Sequence, residues 1–251
     1  MDQNMTLEKR IAAELYSYQG KMSVFVDDLR GSTVEIGADE EFETASTIKA
    51  FILAVLYLQA SRGRADLEEE ITYEASQFVD GSGMLRALGV GAKLKVKDTA
   101  TMMIICSDNI ATNMIIDYLG LDTINACIRE LGFGHTVLHN PLHFDRYDKL
   151  GTTTPRDYAA LFAQVAKGTL VSKEASAAMP VSPDVATSMT AVFPSAVFLS
   201  ERVKRCGRIC SAMSLNAQVG PCHSSKICLF SPCLSRDTTG AGVLSSNLPP
   251  P

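Results

Sequence analysis

The sequence lacks any apolar run able to cross a bilayer. Its longest, residues 50–58, falls far short of the ~20 residues that a spanning helix requires. It also lacks a basic excess: 23 Lys and Arg against 28 Asp and Glu give a net charge of -5 and a pI near 5.4. That balance argues against a nucleic-acid surface, which normally carries a basic stripe. Residues 1–21 show no basic region followed by an apolar one, so no secretion signal is read there. A soluble chain is therefore expected, cytoplasmic as written and exported if a leader precedes it. No internal repeat is present. What remains is an ordinary globular composition, 46% hydrophobic and 20% charged over 251 residues, enough for one large domain or two smaller ones.

The two ends of the chain differ. Apolar residues at helical spacing predict a helix over 6–18, and residues 22–26 and 33–36 read as strands joined by a turn at 27–31. A buried helix is predicted over 46–59. Two more are predicted over 98–106 and 110–119, separated at Ser107-Asp108-Asn109, with Gly120 closing the second. Another follows over 122–131. Thr154-Pro155-Arg156-Asp157 combines a capping hydroxyl, a first-turn proline and an acid, which opens a helix to about residue 166. From Pro180 onward five of the seven cysteines and eight of the ten prolines occur, and no tyrosine follows Tyr158. Such a segment is a poor source of central strands.

The cysteine spacings, Cys206-x3-Cys210, Cys222-His223 and Cys228-x4-Cys233, match zinc templates poorly. Without an export signal, unpaired thiols are expected rather than disulfides. His135, His139 and His143 are four apart, but Gly134 and Pro141 disfavour the helix that would gather them. No metal and no cofactor are expected.

Ser46 and Lys49 carry more information. At i and i+3 of a helix the amine can approach the hydroxyl. Burial beside Ile48, Phe51 and Ile52 disfavours the charged amine and makes a neutral base available. A free N–H at a helix start could also help hold an oxyanion. Taken alone, Ser-x-x-Lys is equally a capping serine with a lysine reaching solvent. Ser107-Asp108-Asn109 is likewise a helix-breaking turn on its own. Together the two motifs are far more specific.

On these motifs, and on the stretches GSGMLRALGVGAKLKVKDTATMMIICSDNIATNMIIDYLG and TTTPRDYAALF, residues 23–178 resemble the class A β-lactamase-type serine hydrolases of the penicillin-recognising superfamily. The resemblance implies an α/β fold of α+β type, with an antiparallel sheet flanked by helices and an inserted all-helical domain. The sheet domain is placed at 1–45 and 167–251 and the helical one at 46–166. Ser46 is implied as the acylated nucleophile and Lys49 as its proton acceptor. Ser107 is implied to pass a proton to the leaving nitrogen. Asn109 would hold the substrate amide and orient Lys49, while Asp108 would fix the turn.

Two departures stand out. The loop that carries the family's deacylating glutamate reads HNPLHFDRYDKLG here, with no glutamate between Glu130 and Glu174. Asp148 falls at the glutamate's place, one methylene shorter, and Asp145 is the other acid on offer. The family's Lys-Thr-Gly triplet, which supplies a cation and whose strand gives the second oxyanion N–H, is also absent. The sequence after about residue 179 is therefore expected to differ from the family's C-terminal half, as a frameshift would produce. The activity expected is β-lactam opening through a Ser46 acyl-enzyme. A D-Ala-D-Ala peptidase or esterase-like penicillin-binding protein is the alternative, and an inactive or sensor-like relative the second. The implied partner is a small β-lactam or acyl-peptide, with no nucleic acid, no membrane segment and a monomeric state.

Overall fold

The computed structural model describes residues 6–16, 20–144, 146, 149–180 and 196–199. The N-terminal periodicity produces α1 (Leu7–Leu15), capped by Thr6, whose hydroxyl accepts from the Lys9 N–H. β1 (Ser23–Asp27) and β2 (Thr33–Ile36) pair as the antiparallel hairpin the sequence predicts, Val24 opposite Ile36 and Asp27 opposite Thr33. Asp28 builds the turn. Its Oδ1 accepts from the Arg30 and Ser32 N–H groups, a side-chain substitute for backbone pairing. Successive side chains of a strand point to opposite faces. Val24 and Val26 accordingly pack with Ile11 and Leu15, and Phe25 with Ala38 and Ala159.

After β3 (Phe42–Glu43) and a tight turn at Ala45–Thr47 comes α2 (Ile48–Ser61). This helix is apolar nearly all round, which marks a central position. Ile48, Phe51, Ile52, Leu53, Val55 and Leu56 are fully buried, each contributing roughly 1.5–3 kcal/mol of transfer free energy. β4 (Glu70–Thr72) pairs antiparallel with β5 (Lys93–Lys95). Then α3 (Val96–Ile105), α4 (Asn109–Leu119) and α5 (Leu121–Glu130) pack around α2. Each of the three begins and ends within two residues of the expected bounds. β6 (Val137–Leu138) and β7 (Gly151–Thr153) join β3 in a second sheet of order β3-β7-β6.

α6 (Pro155–Lys167) starts where the local chemistry says it should: the Thr154 hydroxyl accepts from the Asp157 N–H at 3.1 Å. Its Arg156 chelates Glu35 and Asp39 together and lies over the Phe25 ring, so the helix is tied to the hairpin. Tyr158 of α6 meets Phe51 and Phe162 in the core, with ring centroids 5.9 and 5.0 Å away. α7 (Lys173–Ala178) follows, and Tyr57 of α2 donates to the Ala178 carbonyl. β8 (Ala196–Leu199) runs parallel to β1, with Val24 opposite Val197. Every other pairing among the described residues is antiparallel. The fold is α+β, and it sets the Ser46 turn at the start of α2 against the α3–α4 junction. No helix among the described residues is long and apolar enough to cross a membrane.

Candidate active site

Ser46 lies in the single tight turn before α2 rather than in its first α-helical turn. Ala45 before it has a φ of 41°, and Ser107 has a φ of 49°. Both are left-handed conformations that L residues adopt at a cost of about 1–3 kcal/mol when the surroundings hold them there. The Ser46 hydroxyl caps no helix; Lys49 takes it instead. Lys49 Nζ is 3.2 Å from Ser46 Oγ, 3.0 Å from Ser107 Oγ, 2.8 Å from the Ser107 carbonyl and 2.9 Å from Asn109 Oδ1. Of the two open readings of Ser-x-x-Lys, the lysine that reaches solvent is excluded, because Lys49 is only 2% exposed. Ser46 and Ser107 remain partly exposed while Lys49 and Asn109 are buried. The two serines keep some exposure, and the lysine that joins them keeps almost none.

Burial lowers the Lys49 pKa to about 8, against an opposing pull from the nearby Asp108 carboxylate. An ammonium has three hydrogens to donate, and four oxygens surround this one. When Lys49 is neutral its lone pair can accept from one of the two hydroxyls, which is the arrangement that activates a serine.

Asp108 is 1% exposed and spends its carboxylate on backbone. Oδ2 accepts from the Met84 and Leu85 N–H groups, and Oδ1 from Ala111 N–H, capping α4. The carboxylate thereby joins the 81–85 segment to the α3–α4 junction. Gly83, at φ +124°, is required for this: a Cβ there would overlap the Asp108 carboxyl carbon. Asn109 turns Oδ1 to Lys49 and donates from Nδ2 to the Asp80 carbonyl at 3.0 Å. Ser82 Oγ donates to the Ser107 carbonyl at 2.8 Å.

Two asparagines unmarked by the motifs fix the following loop. Asn113 accepts from the Leu142 N–H and donates to the Leu142 carbonyl, at 2.8 and 3.0 Å. Asn125 does the same for Leu138, at 2.9 and 2.8 Å. His139 and Asn140 N–H groups both bond to the Leu150 carbonyl, closing the loop's base. His139 Nε2 also lies 3.1 Å from Thr152 Oγ1. Asp145 and Asp148 lie outside the described residues, as do the five cysteines from Cys206 to Cys233. Cys106 and Cys127 are free thiols.

The model of the β-lactamase enzyme family matches residues 6–180. The chain belongs to that family. Its relatives include β-lactamase SME-1 of Serratia marcescens, 24% identical over 64% of this chain and 56% of the relative, and β-lactamase AST-1 of Nocardia asteroides, 30% identical over 62% and 52%. The chain spans about half the length of the curated relatives it matches. Among solved structures, the family fold is shared with PBP-A, at a TM-score of 0.61 and 31% identity over 68% of this chain and 66% of that one. A point mutant of PBP-A, solved as an acyl-enzyme complex with penicillin G, gives 0.63 and 30% over the same shares. An ancestral class A β-lactamase gives 0.62 and 25% over 69% of each. Of the site residues read from the sequence, Ser46, Lys49, Ser107 and Asn109 form one hydrogen-bonded cluster, while Asp108 bonds the backbone N–H groups of Met84, Leu85 and Ala111.

Proposed function

We propose that this family member is a serine hydrolase of the class A β-lactamase type, which opens β-lactams through an acyl-enzyme at Ser46. The observation that carries this reading is the Lys49 amine set between the Ser46 and Ser107 hydroxyls. Neutral Lys49 takes the Ser46 proton as Oγ attacks the lactam carbonyl. The Ser46 N–H helps hold the oxyanion. Ser107 then delivers a proton to the ring nitrogen as the carbon–nitrogen bond breaks, and recovers one from Lys49. Asn109 orients Lys49 and offers its remaining amide hydrogen to the substrate's acyl amide, while Asp108 holds the turn. Deacylation falls to water activated by Asp148, or by Asp145.

A second reading, a D-Ala-D-Ala peptidase or esterase-like penicillin-binding protein, is favoured by one specific feature. The loop has no glutamate between Glu130 and Glu174, and if neither Asp148 nor Asp145 activates water, an acyl group formed at Ser46 persists. Without the Lys-Thr-Gly triplet, an inactive or sensor-like relative is the remaining alternative. Intact mass after exposure of the full chain to benzylpenicillin separates them. A transient adduct that turns over supports the β-lactamase reading, and a stable adduct the second. No adduct at all overturns both. Ser46→Ala should carry no adduct in any case, and a labelled mutant would refute the nucleophile.

A further inference from the structure

Exposed apolar side chains gather around the Ser107–Asp108–Asn109 turn. Ile105, just before it, is 69% exposed, and Met84, whose N–H is bonded to Asp108, is 63% exposed. Phe144, two residues beyond the Asn113 clamp at Leu142, is 65% exposed. An aromatic ring left in water forgoes the favourable transfer that its large apolar area offers, so its placement needs a reason. The reason lies at Gly81. Phe144 Cε2 is 3.5 Å from the point where a Gly81 Cβ would stand, and Asn109 Nδ2 is 2.7 Å from that same point. The absent side chain lets the Asn109 amide nitrogen pack directly over Gly81, with the edge of the Phe144 ring beside it. A side chain there would push the amide away and strain a backbone with φ at +103°.

We propose that Phe144 is a specificity-determining residue: with Gly81 it forms an apolar wall beside Asn109 that selects acyl donors carrying an aromatic substituent over those carrying a small one. The inference rests on the acylation of Ser46 proposed above. Asn109 has one Nδ2 hydrogen engaged by the Asp80 carbonyl and its Oδ1 engaged by Lys49, which leaves one hydrogen for an acyl carbonyl. A substituent attached to that carbonyl extends over Gly81 toward the ring. There it covers the exposed edge of Phe144 and makes the edge-to-face or offset contact that aromatic pairs prefer.

The test compares Ser46 acylation rates of the full chain with benzylpenicillin and with the analogue whose phenylacetyl group is cut back to acetyl. Both keep the side-chain amide. The aromatic donor is expected to react faster, and Phe144→Ala to lower the ratio of the two rates by roughly tenfold, the size of one aromatic contact. Phe144→Tyr, which keeps the ring, should restore most of that ratio. An unchanged ratio in Phe144→Ala, whether both rates hold or both fall together, overturns the wall. Failure of the parent chain to react with either compound defeats the acylation reading itself, and this inference with it.

Discussion

Gly83 and Asp108 touch so closely that no side chain fits between them: a Cβ on residue 83 would stand 2.7 Å from Asp108 Oδ1 and closer still to Cγ and Oδ2. That carboxylate is buried and accepts three backbone N–H bonds. Gly83→Ala therefore either displaces the carboxylate or distorts a backbone that glycine alone adopts readily. A loss of about 2–4 kcal/mol in stability is expected, with acylation of Ser46 reduced as the neighbouring Ser107 and Asn109 shift. Urea unfolding and adduct formation on the same sample check both. Unchanged stability would contradict the contact.

Lys49 and Lys97 give a matched pair. Lys49→Ala should slow acylation by about 10²- to 10⁴-fold, the usual range for a lost general base. Lys97 is exposed and paired with Glu68 on the surface, so Lys97→Ala should alter the rate by less than about twofold, as a surface ion pair contributes little. Pre-steady-state mass spectrometry reads the two rates. Equal effects would remove the base assignment.

The acylation rate should rise with pH and level off above about pH 8, where Lys49 loses its proton. At pH 7 roughly a tenth of the amine is neutral by that value. A rate that is flat from pH 6 to pH 9 would rule out the neutral amine as base.

The same group couples stability to pH in the unusual direction. Its folded pKa of about 8 lies below the ordinary 10.5, so between those values the unfolded chain binds the proton and the folded chain does not. Stability then rises with pH. Relative to Lys49→Met, the parent chain should be at its greatest disadvantage below pH 8 and recover on the order of 3 kcal/mol by pH 10.5. Denaturant midpoints of the two proteins across that window test the sign. A gap that widens with pH would contradict it.

Asn113→Ala should leave the N–H and carbonyl of buried Leu142 without partners, at a cost of about 2 kcal/mol or more. Amide exchange at Leu142 should accelerate in step. Protection equal to the parent's would show that the clamp is dispensable.

What the sequence made legible was local chemistry. Thr154, Pro155 and Asp157 lie within four positions, and their cap forms as the residue types require. Asp28 likewise makes its turn with groups two and four residues away. Ser46 and Lys49 are three apart, so their approach follows from helical spacing, although a left-handed Ala45 moves the serine into a tighter turn than expected. The asparagine clamps were not legible. Their partners are backbone groups 29 and 13 positions away, and every residue type carries the same backbone groups. Gly83 lies within the stretch that resembles the family, but its contact with Asp108 exists only once the chain is folded. β8 was hidden for the opposite reason, since a weakly patterned, proline-rich region gave no sign of a strand at 196–199.

The clamps at Leu138 and Leu142, with the carbonyl of Leu150 closing the base, are made by backbone groups and by asparagines on α4 and α5, so they do not depend on which side chains residues 143–149 carry. Whatever that segment carries can be rewritten or lengthened while its moorings, and the frame they belong to, stay as they are. On the acylation proposed for Ser46, replacements there are the economical route between holding an acyl group and releasing it, with no alteration to the elements that carry Ser46, Lys49 and Ser107.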